Sequence, residues 1–195
     1  MFEKSIEKDD IKKLPLYKHD GPIEVITSPH RAYEAMGEIA KEKFIGIDTE
    51  TRPSFKKGVS YPVCLLQMTT VNKTYLFRLL KTGLPENFIP IMEHENIIKI
   101  GIAIHDDLSD LKKMKGFAPK KVVDLNEYAL EFDFISIGAK KLAALVLGIQ
   151  ISKRQQTSNW EAEPLSQAQI EYAATDSWIC REIYLKFQDH LKERA

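Results

Sequence analysis

A chain of 195 residues with 44% hydrophobic and 29% charged residues has the length and composition of one globular domain with a sizeable core. Lys+Arg and Asp+Glu are equal at 28 each, so no net charge advertises a nucleic-acid partner, although an acidic site loaded with metal supplies its own positive charge. No apolar run is long enough to span a membrane, residues 1–14 lack the apolar core of a signal peptide, and Cys64 and Cys180 have no metal-ligand spacing; the expectation is a cytoplasmic protein with buried, reduced thiols.

Residues 1–21 are polar and show no clear period, which predicts an N-terminal arm ahead of a domain over 22–195. Residues 23–26 read as a short strand. Ser28 and Pro29 have the chemistry of a helix start, and the helix is expected to run to about residue 43. Residues 44–51, Phe-Ile-Gly-Ile-Asp-Thr-Glu-Thr, follow as a strand that is apolar on both faces and so central in a sheet. A loop over 52–60 leads to two strands, 63–69 and 74–78, joined as a hairpin. A short helix over 85–94 precedes a buried apolar run, 97–104, and a helix over 106–114. Residues 122–124 form a strand whose Asp124 caps a helix to about 131. A further helix is expected from Ser136 to Leu147 with Gly148 as its C-cap, then a long connection over 149–165. Ser166 and Gln169 form a capping box that opens a last helix to about residue 192. Strands first and helices afterwards, with some alternation, predict an α/β fold.

Three stretches place acids where water is scarce. Side chains alternate along a strand, so Asp48 and Glu50 share one face with Phe44 and Gly46. Two like charges side by side need neutralising, or else the strand simply ends in a solvated loop. At about 100° per residue, Asp107 falls on the stripe of Leu108, Leu111 and Met114 while Asp106 faces away. An acid at a helix start also serves the backbone donors there. On the last helix, Tyr172, Asp176, Ile179, Cys180, Ile183 and Phe187 share one face, so Asp176 is again on an apolar stripe with Tyr172 one turn before it. Each acid alone has an ordinary structural explanation. Four of them, aimed inward from three elements with no comparable inward cation, favour two hard divalent cations, Mg²⁺ or Mn²⁺ rather than zinc, in the arrangement used for phosphodiester cleavage.

The ordered set resembles the DEDD superfamily of 3′–5′ exonucleases, in the subclass with a tyrosine in its third motif. Asp48-Thr49-Glu50, Asp107 and Tyr172-Ala173-Ala174-Thr175-Asp176 stand at the motif positions. Val63 to Gln67, Leu147-Gly148, Lys153, Ser158-Asn159-Trp160 and Pro164-Leu165-Ser166 resemble the ribonuclease D and Werner-type branch, and the likeness covers roughly residues 22–190. His105-Asp106 ahead of the second motif, and Glu163 where relatives often carry an arginine, depart from the pattern. The resemblance implies a ribonuclease H-like fold, a mixed central β-sheet flanked by helices, and a free-standing nuclease core.

It also implies roles. Asp48, Glu50 and Asp176 hold one metal ion, Asp48 bridges to a second, and Asp107 anchors the second largely through water. Tyr172 orients the attacking water without needing to ionise, its ordinary pKa being about 10. The product is a nucleoside 5′-monophosphate. Lys153 is placed for a phosphate, Thr51 and Phe55 for the terminal nucleotide, and Trp160 for packing the 149–165 connection or lining the cleft. Gln67 is expected to satisfy neighbouring polar groups. The partner is nucleic acid, DNA ahead of RNA. A catalytically silent module that binds nucleic acid or protein is the competing class, and the complete set of acids speaks against it.

Overall fold

The computed structural model describes residues 2–194. Its framework is a six-stranded sheet built from β2 (Ile23–Ile26), β3 (Phe44–Thr51), β4 (Val63–Thr69), β5 (Thr74–Arg78), β6 (Ile98–Gly101) and β7 (Val122–Asp124), in the order β2-β5-β4-β3-β6-β7. Only the β4 pairings are antiparallel; β2–β5, β3–β6 and β6–β7 are parallel. The expected α/β class, with a mixed central sheet flanked by helices, is what the chain forms. Both faces of β3 and β4 are covered, which is why they read as near-continuous apolar runs.

One face of the sheet buries Ile45, Ile47, Leu66 and Met68 against α2 (Pro29–Ile39) and its neighbours α4 (Phe88–Glu93) and α5 (Ile104–Met114). Ser28 accepts from the Arg31 N–H at 3.2 Å and Pro29 occupies the first turn of α2, as expected. The helix stops at Ile39 rather than 43, because Ile39 is its last buried residue and the charged 41–43 segment turns back into β3. A single turn, α3 (Leu79–Thr82), was not foreseen, and the 85–94 helix is trimmed to α4.

The other face carries α8 (Gln167–Arg194). It opens with the expected capping box: the Gln169 N–H donates to Ser166 Oγ at 3.3 Å and the Ser166 N–H to Gln169 Oε1 at 3.0 Å. Its line across β3 is set by Gly46. A Cβ at that position would fall on the Ser177 carbonyl oxygen, with Arg181 Cβ only 3.1 Å away, so only glycine lets α8 lie this close. Thr69 Oγ1 lies 2.7 Å from Ser177 Oγ and 2.9 Å from Thr74 Oγ1, a buried hydroxyl chain that fixes where along its axis α8 meets the sheet.

Around the far end of α8 lie α6 (Leu125–Leu130), α7 (Ala139–Leu142) and a π-helical turn over Ala143–Leu147. Asp124 caps α6 by accepting from the Asn126 N–H at 2.9 Å. The helix expected from Ser136 starts three residues later, since Gly138 at φ 92 is outside the helical region and its N–H donates to Asn126 Oδ1 instead. Gly148 closes it in the left-handed region, as expected.

The N-terminal residues pack. Following α1 (Lys8–Ile11), β1 (Leu16–Tyr17) pairs in parallel with β8 (Gln150–Ile151) in the 149–165 connection, and the His19 N–H donates to Thr175 Oγ1 at 2.9 Å. Phe2 lies edge-on to Phe187, ring centroids 5.5 Å apart. Among the described residues, no helix is long and apolar enough to cross a membrane, and Cys64 and Cys180 are buried free thiols.

Candidate metal centre

The site follows from how far β3 outruns β6. The β3–β6 ladder covers only Phe44 to Gly46, while β4 stays paired with β3 to Thr51. Beyond Gly46 one edge of β3 is therefore free, and β6 turns away through Ile102 and Ala103 into α5. This is the position where α/β sheets commonly open a cleft. Ala103 holds φ 57, a left-handed conformation unusual for a residue with a side chain, and its N–H donates to Asp124 Oδ1 at 3.2 Å. Asp124, expected only as a helix cap, thus also ties down the cleft wall.

Asp48 and Glu50 leave β3 on the face that α8 covers, and α8 brings Asp176 over them. One carboxylate oxygen from each lies within 4.8 Å of the other two. Together with Tyr172, Lys153, Gln156, Asn126, Ala103 and Cys180 they line a cavity of about 390 Å³. Gln156 and Asn126 were not singled out from sequence; nothing in their local pattern separates them from other polar loop and helix residues.

Burial raises every one of these acids. Asp48 stands well above the usual carboxylate range, from desolvation first and then from Asp107, Asp176 and Glu50. Glu50 is pushed up to about 9 by burial and then by Asp176 and Asp107, and Asp176 to about 7 by burial, moderated by a hydrogen bond from Tyr172 and by the charge of Lys153. The Tyr172 hydroxyl is raised by burial and by the acids beside it, so it stays protonated. Such a cluster calls for a cation. The donor set is all carboxylate oxygen, which fits a hard divalent ion. Cys180 does not alter that: its pKa is raised well above normal, chiefly by burial, and its thiol donates to the Asp176 carbonyl at 3.1 Å.

Asp107 is half-buried and Asp106 exposed, as their helical phases require. Yet Asp107 stands apart from the other three acids. The Thr49 hydroxyl, on the opposite face of β3 from Asp48, donates to Asp107 Oδ1. The four acids therefore form a close trio with a fourth set behind the strand, near enough for its charge to raise Asp48 and Glu50.

Lys153 borders the cavity as an exposed side chain. Thr51 sits past a register shift at the end of β3, and Phe55, 86% exposed, borders a different cavity with Arg52 and Tyr61. Trp160 is 0% exposed in a cluster with Leu65, Leu76 and Ala173, its ring 5.8 Å from that of Tyr172. It packs the connection and backs Tyr172; a side chain so enclosed does not line the cleft. Glu163 pairs with Lys81. Gln67, directly opposite Asp48 on β4, is fully buried, and neither its amide nitrogen nor its oxygen has a hydrogen-bond partner among the described residues. That corrects the expectation that it satisfies its neighbours, and it leaves an unpaired amide next to the acids.

A family model described as 3′–5′ exonuclease matches residues 23–192. The chain is 31% identical over 156 residues to a 3′–5′ exonuclease of Arabidopsis thaliana, covering 75% of this chain and 53% of that protein. It is 27% identical over 177 residues to a ribonuclease D of Gluconacetobacter diazotrophicus, covering 88% and 44%. The chain thus spans about half the length of these curated relatives. The Nibbler EXO domain of Aedes aegypti superposes with a TM-score of 0.80 at 21% identity, covering 91% of this chain and 93% of that one, and shares the ribonuclease H-like fold.

Proposed function

The chain belongs to the 3′–5′ exonuclease family, and on that premise we propose that it shortens nucleic-acid strands from the 3′ end, releasing nucleoside 5′-monophosphates, as a member of the tyrosine subclass. The observation that carries this reading is the half-buried trio of Asp48, Glu50 and Asp176 with Tyr172 beside it. Divalent ions are implied by the family, and the three carboxylates are the residues that would hold them, while Asp107, bonded to Thr49 behind the strand, would act on a second ion through water. Two such ions, Mg²⁺ or Mn²⁺, when bound there lower the pKa of an attacking water and neutralise charge on the leaving oxygen.

The chain's own groups do the rest. Water adds its hydroxyl to the terminal phosphorus, the bond from phosphorus to the 3′ oxygen breaks, and that oxygen leaves with the proton the water gives up. Tyr172, kept protonated, orients the water by hydrogen bonding and takes no proton. Lys153, whose charge reaches Asp176, is placed for the non-bridging phosphate oxygens. Thr51 and Phe55 are assigned to the terminal nucleotide, to whose base Phe55 offers an exposed ring. Trp160 holds Tyr172 from behind.

Tyr172→Phe keeps the ring and loses the hydroxyl. The expected result is a fall in kcat of about 10² with folding unchanged, the size of effect that lost positioning of a reacting group produces; an unchanged rate removes the water-orienting role.

DNA was expected ahead of RNA. Relatives named ribonuclease D weigh equally for RNA, so the preference for DNA has no support, and the substrate is proposed as a nucleic-acid 3′ end of either sugar. An RNA-specific site needs donors or acceptors for the 2′-hydroxyl. Matched DNA and RNA oligonucleotides with the same 3′ end, compared by kcat/KM, measure the preference.

A further inference from the structure

A second cavity, of about 440 Å³, adjoins the acid-lined one, and Lys153 and Tyr172 border both. Its walls are β1 and β8 with the residues that follow them, α7 and the first turns of α8, and they carry Lys18, Lys140, Lys153 and Arg154. Lys18 is paired with Glu171 at 2.8 Å and remains 62% exposed; among the described residues, the other three have no ion pair. Leu16, 57% exposed, adds an apolar edge. The charge changes from anionic to cationic across the Lys153–Tyr172 boundary. The groove is local, which is how a chain with 28 basic and 28 acidic residues can still present a cationic track. One wall is supplied by Leu16 and Lys18, which lie before the residues 23–192 that match the family model. The β1–β8 ladder holds that wall in place.

We propose that this groove holds the phosphodiester backbone of the substrate strand on the 5′ side of the scissile bond, with Lys18 and Lys140 as phosphate contacts that the N-terminal segment and α7 bring to the site. The proposal rests on the exonuclease reading for which end of the strand lies at the acids. A strand whose terminal phosphate sits at the metal centre must lead its remaining phosphates away from Asp48, Glu50 and Asp176. The cationic groove beyond Tyr172 receives them. Phosphate contacts supply most of the affinity of such binding and make it salt-dependent.

The test pairs strand binding with turnover of a short substrate. Binding of a labelled single strand of about twelve nucleotides is followed by fluorescence anisotropy in EDTA, so that no turnover intervenes. The double variant Lys18→Ala/Lys140→Ala is expected to bind about tenfold more weakly, and its salt slope to be shallower by about 1.4, from about 0.7 for each contact to a single strand. Lys18→Arg/Lys140→Arg, which keeps the charges, is expected to restore binding. Lys41→Ala/Lys43→Ala, bordering an unrelated cavity, is the control for net charge. Hydrolysis of a dinucleotide in Mn²⁺, too short to follow the groove, should change by less than about twofold. Binding unchanged in the Lys18/Lys140 variant, or weakened no more than in the control, overturns the proposal. So does a parallel loss of dinucleotide hydrolysis, which would place these lysines at the terminal nucleotide. If the wild type binds strands through Lys18 and Lys140 yet, in Mn²⁺, shortens neither the strand nor the dinucleotide, the groove stands and the exonuclease reading falls.

Discussion

Asp48→Asn is expected to reduce metal-dependent strand shortening by about 10³-fold or more. The substitution keeps the shape and removes one ligand charge from the centre of the trio. A metal ion at such a site stabilises the transition state by several kcal/mol, and each 1.36 kcal/mol is tenfold in rate. The same variant should leave the fold intact and, in EDTA, melt at or above the wild-type temperature. Burial and the neighbouring carboxyls hold the Asp48 pKa above its unfolded value. Its ionisation therefore takes stability away as pH rises past the unfolded pKa, and asparagine carries no such penalty at neutral pH. Mn²⁺ should raise the melting temperature of the wild type and do little for the variant. A variant that unfolds in EDTA would make Asp48 structural; one that digests at the wild-type rate would misassign the site.

Gly46→Ala should lose both stability and activity. The added methyl lands on the Ser177 backbone carbonyl and against Arg181 Cβ, neither of which is the far end of a flexible chain. Overpacking of this kind costs about 1–3 kcal/mol and more where backbone must move. Taking about 3 kcal/mol, thermal unfolding should drop by roughly 6–12 °C for a domain of this size. Relief requires α8 to lift from β3, and Asp176 lifts with it, away from Asp48 and Glu50. The comparison variant is Gly37→Ala in α2, where a Cβ meets nothing within 4 Å and the backbone is helical. It should stabilise by about 0.5–1 kcal/mol. Gly46→Ala with wild-type melting and activity would mean that the closeness of α8 to β3 does not set the site.

The acids were legible because each sits in a short repeat of known geometry. Asp48 and Glu50 are two apart on a strand, and Tyr172 and Asp176 four apart on a helix, so period alone puts each pair on one face. Phase also separated Asp107 from Asp106. What phase does not carry is position in space. That Asp107 meets Thr49 behind the strand, outside the trio, depends on where β6 ends and how Ala103 turns. Gly46 reads only as a small residue in an apolar run until α8 is seen lying on it. The β1–β8 ladder is two residues long on each side, too short to leave a period in sequence, and the groove it walls was equally hidden. The apolar run over 97–104 contained both a strand and the first residue of α5, a division that hydrophobicity alone does not mark. Gln67 looked like an ordinary polar residue on a buried strand; its lack of any partner is a property of the packed sheet.

The most direct measurement is digestion of one oligonucleotide labelled either at its 5′ or at its 3′ end, in Mg²⁺ or Mn²⁺ and in EDTA. With metal, the 5′-labelled strand should shorten in single-nucleotide steps, while the 3′ label is released at once as a mononucleotide; with EDTA both strands should remain whole. Shortening that begins at the 5′ end, or digestion that persists undiminished in EDTA, would contradict a metal-dependent 3′–5′ exonuclease built on Asp48, Glu50 and Asp176.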